Sequence, residues 1–175
     1  ESSSAISVWP FVPHRSDDAW VSVRDFTVPD SLSLLTAAGK REPMKQNPSF
    51  FEAGNLETVQ HFATSKDGTK VPYFEIGRKG RSAPSPALIE AYGGFEISLA
   101  PAYMAGTGAA WLERGGVYVQ ANIRGGGEYG PEWHQAAMKH KRQAAYDDLA
   151  AVAEALVKRV VTTSKTLGVM GGSNG

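Results

Sequence analysis

The stretch Leu167-Gly168-Val169-Met170-Gly171-Gly172-Ser173-Asn174-Gly175 decides how the rest of the chain is read. A short apolar run, enough for a buried strand, leads straight into G-x-S-x-G. A serine lifted to the tip of a sharp strand-to-helix turn needs glycine on both sides. The turn strains the backbone, and side chains there would strike the neighbouring strand and helix. Ser173 is then a nucleophile, and the backbone N–H of Asn174 faces the negative oxygen that forms when a serine attacks a carbonyl. The competing reading is a glycine-rich loop whose serine only caps a helix; the strand before it and the helix upstream weigh against that. Such sites take their acid and then their histidine from later in the chain. All four histidines, His14, His61, His134 and His140, precede Ser173, and none suits the base. The triad aspartate and histidine are therefore expected outside this chain.

Moving upstream, strands alternate with helices. Leu149, Val152, Ala153, Leu156, Val157 and Val160 recur at helical spacing, with Asp147 or Asp148 as the expected cap. Residues 117–123 and 87–92 read as strands. Residues 101–114 between them read as a helix with Met104, Gly108, Trp111 and Leu112 on one face, stopped by Gly115-Gly116. Residues 57–64 and 70–76 flank Lys66-Asp67-Gly68, whose Asp-Gly signals a hairpin, and Pro72 suggests an edge strand or a strand start. Alternation of this kind predicts an α/β fold: a mostly parallel sheet covered by helices, with 87–92, 117–123 and 167–170 as neighbours and their loops gathered at the carboxyl edge.

The opening differs. Residues 19–26 and 32–36 read as short strands around the turn Val28-Pro29-Asp30-Ser31, and Glu42 to Pro48, with two prolines, reads as a linker. The division expected is residues 1–46 and 47–175. Glu1-Ser2-Ser3-Ser4-Ala5 has no signal-peptide character, both ends look cut, and the chain reads as an internal fragment, inactive by itself.

Eighteen basic residues balance eighteen acidic ones, which argues against a nucleic-acid partner. The one dense basic run, Lys139 to Arg142, reads as a solvated helix end. No apolar stretch is long enough for a membrane span. The absence of cysteine excludes disulfides and thiolate metal sites, and His134 and His140 stand six apart, so no metal is expected.

Two further motifs carry chemistry. Tyr92-Gly93-Gly94-Phe95 follows a strand, and its glycines allow close approach while Tyr92 brings a hydroxyl; a plain core aromatic is the competing reading. Asn122 to Gly130 contains a literal G-x-G-x-x-G with acidic residues further on, as a nicotinamide or flavin fingerprint would. Glu128 would set a carboxylate beside the pyrophosphate, and bulky Tyr129 precedes the last glycine, so this match reads as false.

Ser65-Lys66-Asp67-Gly68-Thr69-Lys70-Val71-Pro72, Tyr92-Gly93-Gly94-Phe95, Asn122 through Gly130, Tyr146-Asp147-Asp148 and the terminal Gly-Gly-Ser-Asn-Gly together resemble the prolyl oligopeptidase family of serine peptidases, over about residues 55–175. The resemblance implies the first part of an α/β-hydrolase domain, preceded by the last strands of a β-propeller. It implies Ser173 as nucleophile, the Tyr92 hydroxyl and the Asn174 N–H as the oxyanion hole, and Phe95 as a wall of the pocket for the residue before the scissile bond, typically proline. No cofactor is implied, the partner is a short peptide, and the rest of the polypeptide completes the fold. The compartment expected is the cytoplasm, with the periplasm as the alternative. Glu90-Ala91 departs from the family, whose prolyl-specific members usually carry Tyr-Gly there. An esterase, an acylaminoacyl hydrolase and an inactive binding module stay open as alternatives.

Overall fold

A computed structural model describes residues 3–175, which fall into two compact units. The first runs to Gly54 and takes in Ala100–Ala109; the second holds Asn55–Leu99 and Ala110–Gly175.

In the first unit, β1 (Ala5–Pro10), β2 (Ala19–Arg24), β3 (Ser31–Leu35) and β4 (Arg41–Gln46) form an antiparallel meander in that order. The expected linker at Glu42 to Pro48 is thus mostly a strand. Proline is tolerated at sheet edges and bulges, and Pro43 has both: β4 is an outer strand, and the register slips between Leu32 and Ser33, opposite it. The short β1 lay outside the expected elements.

The expected helix over 101–114 shrinks to α1 (Ala105–Thr107), continued by a π-turn over Gly108–Leu112. Two glycines in so short a segment weaken the helix. The N–H of Met104 is given to Phe26 O at 3.3 Å, and the Phe51 ring, stacked on Tyr103 at 5.2 Å, sits where a side chain at Gly108 would be. The stop is as read. Gly115 (φ +89°) donates to Leu112 O at 3.0 Å and Gly116 to Trp111 O at 3.0 Å, the paired bonds of a left-handed helix end.

The second unit is built on a five-stranded sheet of β5 (Leu56–Thr64), β6 (Lys70–Arg78), β7 (Ala87–Ala91), β8 (Val117–Ala121) and β9 (Leu167–Met170) in the order β5-β6-β8-β7-β9. Its parallel half is β8-β7-β9; the β5-β6 hairpin and the β6-β8 pair are antiparallel. Asp67-Gly68 turns the hairpin as expected, with Gly68 at φ +89°. Pro72 is not on an edge strand, because β6 lies between β5 and β8. Its carbonyl accepts from Asn122, one residue past the end of β8, so its missing donor falls beyond that ladder.

Two helices follow β8: α2 (Pro131–Gln135) and α3 (Gln143–Lys158), the latter lying against β5 and β6. Val152 and Leu156 are fully buried, each contributing about 1.5–3 kcal/mol relative to exposure. Neither aspartate caps α3. The helix begins earlier, at Gln143, and Asp148 sits within it, fully buried.

Because β7 pairs in parallel with both β8 and β9, Tyr92, Asn122 and Gly171 leave the sheet at one edge, the carboxyl edge of its parallel half. No helix among the described residues is long and apolar enough to cross a membrane.

Candidate active site

The turn after β9 is built around glycine at two positions. A Cβ on Gly175 would lie 2.4 Å from the carbonyl oxygen of Ala91 at the end of β7, and one on Gly171 would lie 2.4 Å from the carbonyl carbon of Gly175. Gly172 has open space around it. The chain therefore doubles back tightly, closed by Gly175 N–H to Gly172 O at 2.9 Å. At the tip Ser173 is exposed, with φ +55°, a conformation that is uncommon for a residue with a side chain and often held at functional sites.

The loop after β7 comes up against this turn. The carboxamide of Asn174 donates to Tyr92 O at 2.8 Å and fills the space a side chain at Gly94 would need. Gly93, Phe95 and Glu96 all have positive φ, a strained path for the last two that outside contacts hold in place. Arg142 donates to the Gly93 carbonyl, and Ile97 N–H closes on Gly94 O at 3.0 Å. The Nδ1 of His134 stands 2.7 Å from Gly125 O, to which it donates in one tautomer, and 3.1 Å from the Glu96 nitrogen. Leu99 N–H donates to Glu128 Oε1 at 3.0 Å.

Tyr92 is half-buried and borders a cavity of about 250 Å³ shared with Arg142, Tyr146, Met170 and Asn174. Tyr92, Ser173 and Asn174 thus lie on two touching loops at one sheet edge. Phe95 is on the same loop, its side chain 72% exposed.

Two participants escaped the sequence reading. The side chain of Asn174, not only its N–H, joins the loops. Arg142 is no part of a solvated helix end: it turns inward, its guanidinium 5.4 Å from the centre of the Tyr146 ring, whereas Lys139, His140 and Lys141 stay exposed. Charge pattern gives no cue for which member of a basic run turns in.

The glycine-rich loop after β8 is no phosphate cradle. Gly125 packs on the Gly93 carbonyl and Gly127 on the Glu96 carbonyl, where added Cβ atoms would come within 2.2 Å. The carboxylate of Glu128 fills the space beside Gly126, and Gly125, Gly126 and Gly130 give their N–H groups to Trp133, Ile123 and Gly127. The dinucleotide fingerprint fails for the reason read from Glu128, and Gly125 and Gly127 let two loops touch.

Below them, Arg124 clamps the unit. Its N–H and Nε each donate to Asp148 Oδ2 at 2.9 Å and its Nη2 to Asp148 Oδ1 at 2.6 Å. Its other edge reaches Asp67 Oδ2 at 2.5 Å, in the hairpin turn. The bond to Asp148 raises the guanidinium pKa against the opposing effect of burial. The bond from Arg124, helped by Thr69, holds the Asp67 carboxyl well below the usual carboxylate range.

Glu90, at the position of the family departure, accepts from the Tyr118 hydroxyl, whose pKa is pushed far up, by burial first and then by Glu90. Of the histidines, His61 faces Glu75 and Arg159, and His134 serves the loop described above. Among the described residues, no group of three or more His, Cys, Asp or Glu side chains is gathered as metal ligands would be.

A parallel strand feeding a strained, glycine-hinged serine, met by a glycine loop from the adjacent strand, defines part of an α/β-hydrolase fold. A profile of the prolyl oligopeptidase family matches residues 103–175. An uncharacterized peptidase of Sinorhizobium fredii is 49% identical over 92% of this chain and 23% of its own length, and the prolyl endopeptidase of Elizabethkingia miricola is 38% identical over 85% and 21%. The solved structure of a post-proline cleaving enzyme from Rickettsia typhi superposes with a TM-score of 0.88 at 37% identity, covering 98% of this chain and 25% of that one. The chain thus matches the prolyl oligopeptidase family by profile, by relatives and by structure. It spans about a quarter of the length of these relatives.

Proposed function

We propose that the protein carrying this chain is a serine oligopeptidase that cleaves short peptides, preferentially after proline. Ser173 Oγ attacks the peptide carbonyl as its proton passes to a base; the base returns that proton to the leaving amine, and water then hydrolyses the acyl-enzyme. The Tyr92 hydroxyl and the Asn174 N–H receive the negative oxygen of the tetrahedral intermediate. The observation that carries this reading is the elbow itself, in which an exposed serine at φ +55° is forced outward by two glycines packed on each other and on β7.

No histidine of this chain is hydrogen-bonded to Ser173 among the described residues, so the reading assigns base and acid to other parts of the protein. The proline preference draws on the likeness to a prolyl endopeptidase and a post-proline cleaving enzyme and on the aromatic face offered by Phe95. The meander β1-β2-β3-β4 has the make-up of one propeller blade, four antiparallel strands, and on this reading belongs to a propeller that admits only short peptides.

The test is a fluorophosphonate probe on the whole protein, followed by turnover of blocked chromogenic peptides. Labelling of the wild type and not of Ser173→Ala, with hydrolysis after proline, is expected. An unlabelled protein is a binding module, and preferential turnover of an ester or an acylated amino acid makes it another hydrolase of this fold.

A further inference from the structure

We infer that Arg142 is a positioning residue for the oxyanion loop, holding the Tyr92–Gly94 segment against the serine elbow through the Gly93 carbonyl; this rests on the roles proposed above for Tyr92 and Ser173. Arg142 directly precedes α3, and its side chain is fixed from two sides. One end of the guanidinium donates to Gly93 O, and its plane is near the Tyr146 ring, 5.4 Å from the centroid.

The acceptor is equally constrained. Gly93 O occupies the space that a side chain at Gly125 would take, and that same space is bounded by Arg142 Nη1 at 3.2 Å. The carbonyl therefore points into a slot made by a glycine on one side and a cation on the other. A charge-assisted bond of this kind is shorter and roughly twice as strong as a neutral one.

The consequence for chemistry lies in what this peptide joins. On its N-terminal side is Tyr92, whose hydroxyl is the proposed oxyanion donor and whose carbonyl is held by Asn174. On its C-terminal side is Gly94, pressed against the Asn174 carboxamide, one residue from Ser173. Turning the Gly93 peptide swings both neighbours, and with φ +57° at Gly93 the backbone itself offers no preference that would prevent this. Arg142 is the side chain that does. Both Tyr92 and Asn174 border the cavity into which it projects.

A residue of this kind affects the rate more than binding. Misplacing catalytic groups by about 1 Å costs on the order of a hundredfold in rate, whereas ground-state contacts with substrate are left in place. In the whole protein, Arg142→Met is expected to lower kcat by about tenfold to a hundredfold with little change in KM. Arg142→Lys, which keeps a cation able to reach the carbonyl, is expected to restore most of the loss. Amide exchange over residues 93–97 is expected to quicken in Arg142→Met and to return toward wild type in Arg142→Lys.

Unchanged kcat in Arg142→Met overturns the inference. So does an equal loss in both variants with an equal fall in melting temperature, which would make Arg142 a support of the fold. Should the wild type hydrolyse no peptide and take no probe on Ser173, the oligopeptidase reading fails by itself. Amide exchange then still decides on Arg142, and an unaltered loop in Arg142→Met refutes its positioning role.

Discussion

Strands β8 and β9 flank β7, and each runs into a glycine-rich turn, yet the packing of glycine yields different products in the two turns. At Gly125, Gly126 and Gly127 the space left by the missing Cβ atoms is filled by other backbone, the carbonyls of Gly93 and Glu96, and by the carboxylate of Glu128. Glycine there brings two loops together. In residues 171–175 Gly175 also packs on backbone, the Ala91 carbonyl of β7, but with Gly171 packed on Gly175 the chain folds back on itself, and the product is a side chain, Ser173, thrust into the open. A glycine motif is therefore interpreted by what occupies the vacated volume, which a one-dimensional pattern does not contain.

Substituting Gly125 puts the most strain on this comparison. Alanine there would have to adopt φ +102° and overlap a backbone carbonyl, a neighbour that cannot rotate away. Left-handed backbone costs an alanine roughly 1–2 kcal/mol and overpacking roughly 1–3 more, so Gly125→Ala is expected to destabilise the protein by about 2–5 kcal/mol in denaturant unfolding. Gly172→Ala, with nothing within 4 Å and ordinary φ, is expected to stay within about 0.5 kcal/mol of wild type. Equal effects at the two sites would mean that packed and free glycines do not differ in what they hold together.

The second test asks whether the loop held by the packing turn serves the exposed serine. Tyr92→Phe removes one hydroxyl and no packing volume. The expected outcome in the whole protein is a kcat lowered by roughly a hundredfold to a thousandfold, since the hydroxyl meets charge present only in the transition state. Steady-state kinetics separate this from a raised KM at unchanged kcat, which would make Tyr92 a ground-state contact.

Much of this was legible in the sequence because it is local. The Asp67-Gly68 hairpin, the Gly115-Gly116 helix stop and the strand that delivers Ser173 each depend on a few adjacent residues, and each stands where it was read. The neighbourhood of β7 with β8 and β9 followed from strand–helix alternation. What failed was non-local. Pro43 looked like a linker because its tolerance comes from a bulge at Met44 that exists only once β4 pairs with β3, and Asp148 looked like a cap because its partner, Arg124, lies 24 residues away. The inward turn of Arg142 depends on a carbonyl 49 residues earlier. An acid that caps a helix and an acid that receives a buried arginine are the same letter in a sequence.

The smallest expected effect concerns the clamp beneath both turns. Asp67 lies at the exposed end of the Arg124 network, with 54% of its side chain accessible, and an ion pair open to solvent contributes no more than about 1 kcal/mol. Its carboxyl is held below the usual range by Arg124, so the folded state prefers the ionised form more than the unfolded state does. The sign follows: the contribution is fully present above the unfolded pKa, near 3.9, and drains away as pH falls from there toward the lower folded value. Asp67→Asn is therefore expected to be slightly less stable than wild type at pH 7, with the gap closing below about pH 4. Urea unfolding of both proteins at pH 7 and at successively lower pH checks this. A gap that widened on acidification would mean that the aspartate is favoured in its protonated form, and would detach the hairpin turn from the Arg124 clamp that otherwise ties it to the loop behind Gly125.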